Sequence, residues 1–439
     1  MADWDFFQLT AFDKDCDEVV FTTSWLIQGN IDIQTLSAAL DVVTDRWRLL
    51  AGRLEPGEKP NTWRVRIPKG DIPKDYRRYA LTTAVSEAPA SSYVTLPLPI
   101  VSSHPPVSLF VAPTTPKSSL GYAKSQHPII SIHITTLPDS HSFIGFTVPH
   151  GMFDATGMSF VQQAVEAQLH GREWSPPLYP NALNNALEAH TIRPLSTSLY
   201  YKVSTVAKFI WRCAIDTFWK GITAHLVVVP EAVHLGLVKR IRDSLEVPVA
   251  SSDVIAAWLF KTMYTRGTPA HRTTRLLTYS SFRPFIADLD TYPHNAFMRV
   301  FCPQTSAGDL AQRSVADVAL SVFQTRQELG VEQVMTAYDE IASGSFLDIL
   351  TQGGDCKGAN ETFWVNNCSA QRSPELTWPG VHAVKWASRY LLTDSGIEIS
   401  NACTVQGRLN GDLMIHITVS KEKLALLEEE IKRLTAEFC

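Results

Sequence analysis

The chain has 439 residues, with 39 Lys and Arg against 44 Asp and Glu, for a net charge of −5 at pH 7. Apolar residues make up 45% and charged residues 19%, the balance of a folded globular protein and not of a disordered or collagenous chain. The mild acidity leaves no domain-scale basic surface for nucleic acid, and no apolar run reaches the roughly 18 residues of a membrane span.

At roughly 150 residues per domain, the length predicts about two or three domains. The opening stretch MADWDFFQLTAFDKD is acidic and lacks the basic-then-apolar layout of a secretory signal. The first clear element is a strand, Val19–Gln28. Asp32 then reads as the N-cap of a helix whose apolar positions Leu36, Leu40, Val43, Trp47 and Leu50 fall on one face. Gly52 reads as its glycine stop. Residues 84–130 are punctuated by prolines (Pro89, Pro97, Pro99, Pro105, Pro106, Pro113, Pro116), which cannot donate to a ladder, so edge strands and loops are expected there. Ile129–Thr135 and Ser142–Pro149 read as strands. The second is almost continuously apolar, as a strand covered on both faces should be. It ends at His150, and after Gly157 a helix is expected with Phe160, Val161, Ala164, Val165 and Leu169 inward.

Residues 171–200 mix Pro, Asn and short helical pieces and read as a connection between two halves, dividing the chain into 1–180, a connecting segment 181–220, and 221–439. In the second half, Ser252 and Asp253 open a helix and Leu276–Phe282 is a strand. Ala307–Leu329 and Val331–Ser343 are amphipathic. Asn410-Gly411 is the strongest hairpin signal, and Ser420 caps a last helix with Leu424, Leu427, Ile431 and Leu434 on one face. The sum is an α/β protein with mixed sheets in two comparable halves.

The chemistry available is narrow. Neither G-x-x-x-x-G-K-[ST] nor G-x-G-x-x-G is present, H-E-x-x-H is missing, and no G-x-S-x-G elbow occurs. A metal site is therefore not expected. The seven cysteines, Cys16, Cys213, Cys302, Cys356, Cys368, Cys403 and Cys439, are odd in number, scattered and without C-x-x-C, which favours free thiols in a reducing, cytoplasmic setting. Ser420 and Lys423 form an S-x-x-K pair, but at the start of a helix serine is the expected cap. One segment stands apart: Val148-Pro149-His150-Gly151-Met152-Phe153-Asp154-Ala155-Thr156-Gly157. A buried strand delivers a histidine to its end, where α/β proteins place reactive groups. Histidine titrates near neutrality and can take a proton from a hydroxyl and return it to a leaving group. The plain structural alternative is a satisfied core histidine followed by Asp154 as a helix N-cap.

The run from His150 to Gly157 resembles the HxxxD motif of the BAHD acyltransferases in its D-A-x-G form. Leu9-Thr10-Ala11-Phe12-Asp13 resembles that family's opening segment, and Leu50-Ala51-Gly52-Arg53-Leu54 its L-A-G-R-L helix exit. Ser252–Trp258 is similar to the helix opening its second domain. Ser281-Phe282-Arg283-Pro284 with Asn295 resembles its arginine-bearing strand, and Gly411-Asp412-Leu413 its C-terminal end. The resemblance implies two chloramphenicol-acetyltransferase-like domains with a channel between them, acyl-CoA as co-substrate, and no permanently bound cofactor. It implies a small lipophilic acceptor, a monomer, and transfer of an acyl group, acetyl first among them, to a hydroxyl without an acyl-enzyme. His150 would be the general base, Asp154 an orienting group, and Gly151, Gly157 and Arg283 structural parts of the motif. The family's D-F-G-W-G is absent. Its place falls near Leu376-Thr377-Trp378-Pro379-Gly380, where Thr377 stands for the aspartate that the resemblance pairs with Arg283. A threonine cannot form that ion pair, so Arg283 needs another anion or another place. Thr377 and Trp378 are candidates for lining the channel, with a core tryptophan as the alternative for Trp378. Two other readings compete: the same fold running CoA-independent acid/base chemistry on a metabolite, and a non-catalytic binding scaffold.

Overall fold

A computed structural model describes residues 4–58, 62–188, 190–193, 211, 215, 222–343, 359–396 and 399–439. Two large sheets organise it. In the first, five strands lie in the order Val381–Thr393, Val19–Gly29, His141–Pro149, Ser131–Thr136 and Ala80–Val85. All neighbours are antiparallel except the last pair, which is parallel. The apolar run Phe143–Val148 explains the central place of its strand. Ile144, Phe146 and Val148 point into a core shared with the helices Ile33–Arg46 and Ala155–Leu169, while Phe143 faces a different core.

The second sheet runs Phe297–Phe301, Thr273–Ser281, Glu361–Asn367, Ala402–Leu409, Asp412–Val419, Thr223–Val229 and Val101–Ser103, with Thr305–Ser306 added beside Thr273–Ser281. Leu276, Phe363, Val365, Cys403 and Val405 cover one face and pack against the helices Glu231–Asp243, Ser251–Tyr264, Val315–Gln327 and Lys421–Phe438. On the other face, Leu226, Val228 and Met414 meet Leu26, Phe143, Trp386 and Tyr390 of the first sheet. Each sheet takes a strand from the far half of the chain: Val381–Thr393 pairs along the whole of Val19–Gly29, and Val101–Ser103 pairs with Thr223–Val229.

Local chemistry accounts for most boundaries. The Asp32 carboxylate accepts from the Gln34 N–H at 3.0 Å, and Asn410 and Gly411 make the hairpin turn with positive φ at both. Two expectations need correction. The second helix ends at Arg46, and a short 3-10 turn, Arg48–Ala51, intervenes before Gly52. Gly52 has φ −69°, so it is no left-handed stop. It is small because a Cβ there would lie 2.5 Å from the Val65 side chain. The helix after His150 begins at Ala155, two residues before Gly157, because the Asp154 carboxylate caps it. Cys213 and Cys356 lie outside the described residues; Cys16, Cys302, Cys368, Cys403 and Cys439 are free thiols. Among the described residues no helix is long and apolar enough to cross a membrane, and no cluster of His, Cys, Asp and Glu is arranged to hold a metal ion.

Candidate active site

The His141–Pro149 strand runs to the end of its pairing with Val19–Gly29, and the His150 N–H donates to the Val19 carbonyl at 3.2 Å. The chain then turns sharply, with the Met152 and Phe153 N–H groups both returning to the Pro149 carbonyl. This turn brings the Phe153 carbonyl to 2.9 Å from His150 Nδ1. A carbonyl can only accept, so Nδ1 carries the proton and Nε2 carries the lone pair. Nε2 has no hydrogen-bond partner among the described residues, yet it is not one of the sealed, unpartnered polar atoms. The residue is 7% exposed. Burial pulls the imidazole below the ordinary histidine value, with its backbone hydrogen bonds and the Asp154 and Asp15 carboxylates opposing that shift. At neutral pH the ring is therefore an unprotonated base.

Asp154 does not face His150's free nitrogen. Its carboxylate caps the helix through the Gly157 N–H at 2.8 Å and accepts from the Ala296 N–H at 3.2 Å. It also takes a two-pronged bond from Arg283, at 2.8 and 3.0 Å. Its other bonds go to the carbonyls of Tyr292 and His294 and, from Nη1, to the Ser281 hydroxyl. The arginine's anion is thus Asp154, 129 residues away in the chain, and not a residue near position 377. Fork-to-fork geometry of this kind fixes direction as well as distance. Gly157 is required by the same packing, since a Cβ there would lie 1.6 Å from the Pro293 carbonyl oxygen; at Gly151 it would meet the Ser119 hydroxyl at 2.4 Å.

A second support was not visible in the sequence. Asn295 donates from Nδ2 to the His150 carbonyl at 2.8 Å and to Asp13 Oδ1 at 3.0 Å, and its backbone N–H reaches the same oxygen at 3.1 Å. Thr10 holds the other Asp13 oxygen with its N–H and hydroxyl. Asp13 is fully buried, and burial raises its carboxyl to about 6 although all these hydrogen bonds pull it down. The motif resemblance touched Asp13 and Asn295 without giving either a task.

Thr377 and Trp378 are not brought to His150. Thr377 is exposed, bonded to Glu166 Oε1 at 2.6 Å and to His170 at 3.0 Å, at the C-terminal end of the helix whose N-terminus Asp154 caps. Trp378 is buried in the first sheet's core, edge-on to Trp25 at 5.3 Å.

Two facing mixed sheets that exchange strands, with a histidine at a strand end where they meet, define the chloramphenicol-acetyltransferase-like α/β fold. No family model matches the chain, and no curated protein matches it in sequence. Solved structures match over nearly its whole length. The F. sporotrichioides protein TRI101, determined with coenzyme A and T-2, is similar at 13% identity with a TM-score of 0.68, covering 98% of each chain. Vinorine synthase is similar at 12% identity, TM-score 0.61, covering 98% of this chain and 93% of that one. The first condensation domain of the calcium-dependent antibiotic synthetase is similar at 13% identity, TM-score 0.58, covering 98% and 96%. The likeness to BAHD-type acyltransferases read from the motifs holds at the level of the fold.

Proposed function

We propose that the protein transfers an acyl group, acetyl foremost, from acyl-CoA to a hydroxyl of a small lipophilic metabolite. The observation that carries this reading is the fixed tautomer of His150, with Nδ1–H tied to the Phe153 carbonyl and Nε2 left as an open lone pair. As the acceptor oxygen attacks the thioester carbonyl carbon, Nε2 takes its proton. The tetrahedral adduct then collapses, the carbon–sulfur bond breaks, and the imidazolium returns the proton to the departing thiolate. No covalent bond to the protein is made. Asp154 and Arg283 act at a distance by fixing the turn, and Asp13 with Asn295 hold the His150 carbonyl. Base catalysis of this type contributes roughly 10²–10⁴ in rate, with further gain from holding the two reactants together. Three solved structures of the same fold, all of TRI101, hold coenzyme A together with a second small molecule, which supports a CoA donor.

The test is thiol release from acetyl-CoA in the presence of a panel of alcohols, with His150→Gln alongside. A loss of about 10²-fold or more in kcat with folding intact is expected. A variant turning over at near the native rate would remove His150 from the reaction. Calorimetry with CoA separates the CoA-independent reading: heat of binding at micromolar to millimolar CoA is expected, and its absence would favour acid/base chemistry without a donor.

A further inference from the structure

We infer that the open side of His150 is a subsite for a flat aromatic acceptor bearing a second oxygen, stacked along Phe297, Tyr279 and Trp364 and hydrogen-bonded by Arg299. This deepens the reading above and rests on it.

His150 packs edge-on against the buried ring of Phe21 at 5.4 Å. Phe297 also stands beside it, at 6.1 Å. From there an aromatic line continues, with Phe297 to Tyr279 at 5.6 Å and Tyr279 to Trp364 at 6.4 Å. All three are half-buried, and none belongs to any of the four apolar cores. They sit on strands whose alternate residues Leu276, Phe363 and Val365 face the helices, so they face the other way, toward the first sheet. Large rings left out of every core, in single file from a catalytic base, are what a ring-stacking ligand needs.

Arg299 lies directly opposite Tyr279 in the strand pair. Its Nη2 bonds both oxygens of Asp15, at 2.9 and 2.7 Å, and the guanidinium also hydrogen-bonds the Tyr279 hydroxyl. A guanidinium carries five N–H donors. Beyond the bonds to Asp15 and Tyr279, the remaining donors find no acceptor among the described residues. Asp15 cancels the positive charge while leaving these directional donors in place. Such a group selects a neutral hydroxyl or carbonyl oxygen over a carboxylate.

The experiment uses three probes in calorimetry without donor, then in acetyl transfer: 2,6-dihydroxynaphthalene, 2-naphthol and the saturated 2-decalol. The full chain is expected to bind 2-naphthol about tenfold tighter than 2-decalol, and Trp364→Leu to erase that difference. The diol is expected to bind tighter than 2-naphthol, and Arg299→Lys, which keeps the ion pair but not the fork, to bring it down to the 2-naphthol level. In transfer, the losses should appear in KM more than in kcat. Equal binding of 2-naphthol and 2-decalol, or a diol preference that survives Arg299→Lys, would overturn the inference. Aromatic binding with no transfer from any acyl-CoA would uphold the subsite and remove the proposed reaction. Transfer with no preference among the probes would uphold the reaction and remove the subsite.

Discussion

Two buried aspartate–arginine pairs flank the same histidine, and they are built differently. In the Asp154–Arg283 pair both side chains are 7% exposed, and the donors of the guanidinium go to the carboxylate and to backbone carbonyls. In the Asp15–Arg299 pair the aspartate is as deeply buried but the arginine side chain is 18% exposed, with one nitrogen serving both carboxylate oxygens. The first pair is closed and can only hold the fold together. The second keeps donors in reserve and can meet a ligand. Counting ion pairs would treat them as equal; counting used and unused N–H groups separates a strut from a contact surface.

Replacing each arginine by lysine is the strongest way to break that contrast. Arg283→Lys loses the fork to Asp154 and several bonds to carbonyls in a dry site, and denaturant unfolding should show a loss of about 3 kcal/mol. Arg299→Lys should cost less than about 1 kcal/mol. Equal losses would mean that both pairs are structural.

Buried titratable groups in the fold should also answer pH with opposite signs. Burial lowers His294 and His416 to about 4, and lowers His127 to about 4 with help from Arg77 and Arg53. Their folded values lie below the unfolded 6.5, so the unfolded chain binds protons first. Their stabilisation is complete above 6.5 and is lost as pH falls toward 4, at up to about 1.4 kcal/mol per pH unit for each histidine. Asp13, raised from 3.8 to about 6, works the other way: between those values the folded form binds the proton more tightly, so its contribution grows as pH falls. Unfolding of Asp13→Asn measured from pH 7 to 4 should therefore drop more steeply with acid than the native protein, and a parallel curve would show that Asp13 does not titrate there. The acid limb of kcat/KM should lie below pH 6.5, because burial lowers His150. A limb above 6.5 would contradict that shift.

The smallest effect is expected at Thr377. Its partners Glu166 and His170 sit on the surface, so Thr377→Ala should change stability by less than about 0.5 kcal/mol and leave acyl transfer within about twofold. A large loss of transfer would restore it as a candidate for lining the channel that the resemblance implies.

Local signals in the sequence were dependable where one stretch of chain settles its own conformation. The near-continuous apolar run ending at His150, the Asp32 cap, the Asn410-Gly411 turn and the stripe of the last helix all lie where the residue pattern put them. The two expectations that failed locally failed for different reasons: a distant neighbour, Val65, crowds Gly52, whereas the helix start was misplaced by a cap close at hand, the Asp154 carboxylate, which opens the helix at Ala155. The site was half legible because distant partners complete it. Spacing singled out His150 and Asp154 without choosing between a base and a satisfied core histidine, while the Arg283–Asp154 pair and the Asp13–Asn295–His150 chain close over 129, 282 and 145 residues. The row Phe297, Tyr279, Trp364 looks like ordinary strand residues until pairing shows which face each occupies.

The loan of Val381–Thr393 to the first sheet has a bearing on synthesis. A nascent chain that has just left the ribosome through residue 200 still lacks an edge of its first sheet, and the open flank is the entire length of Val19–Gly29. The histidine's scaffold can lock only after some nine-tenths of the polypeptide has emerged, so a fragment ending between the halves is expected to await its missing ribbon and not to ripen into an independent folded unit.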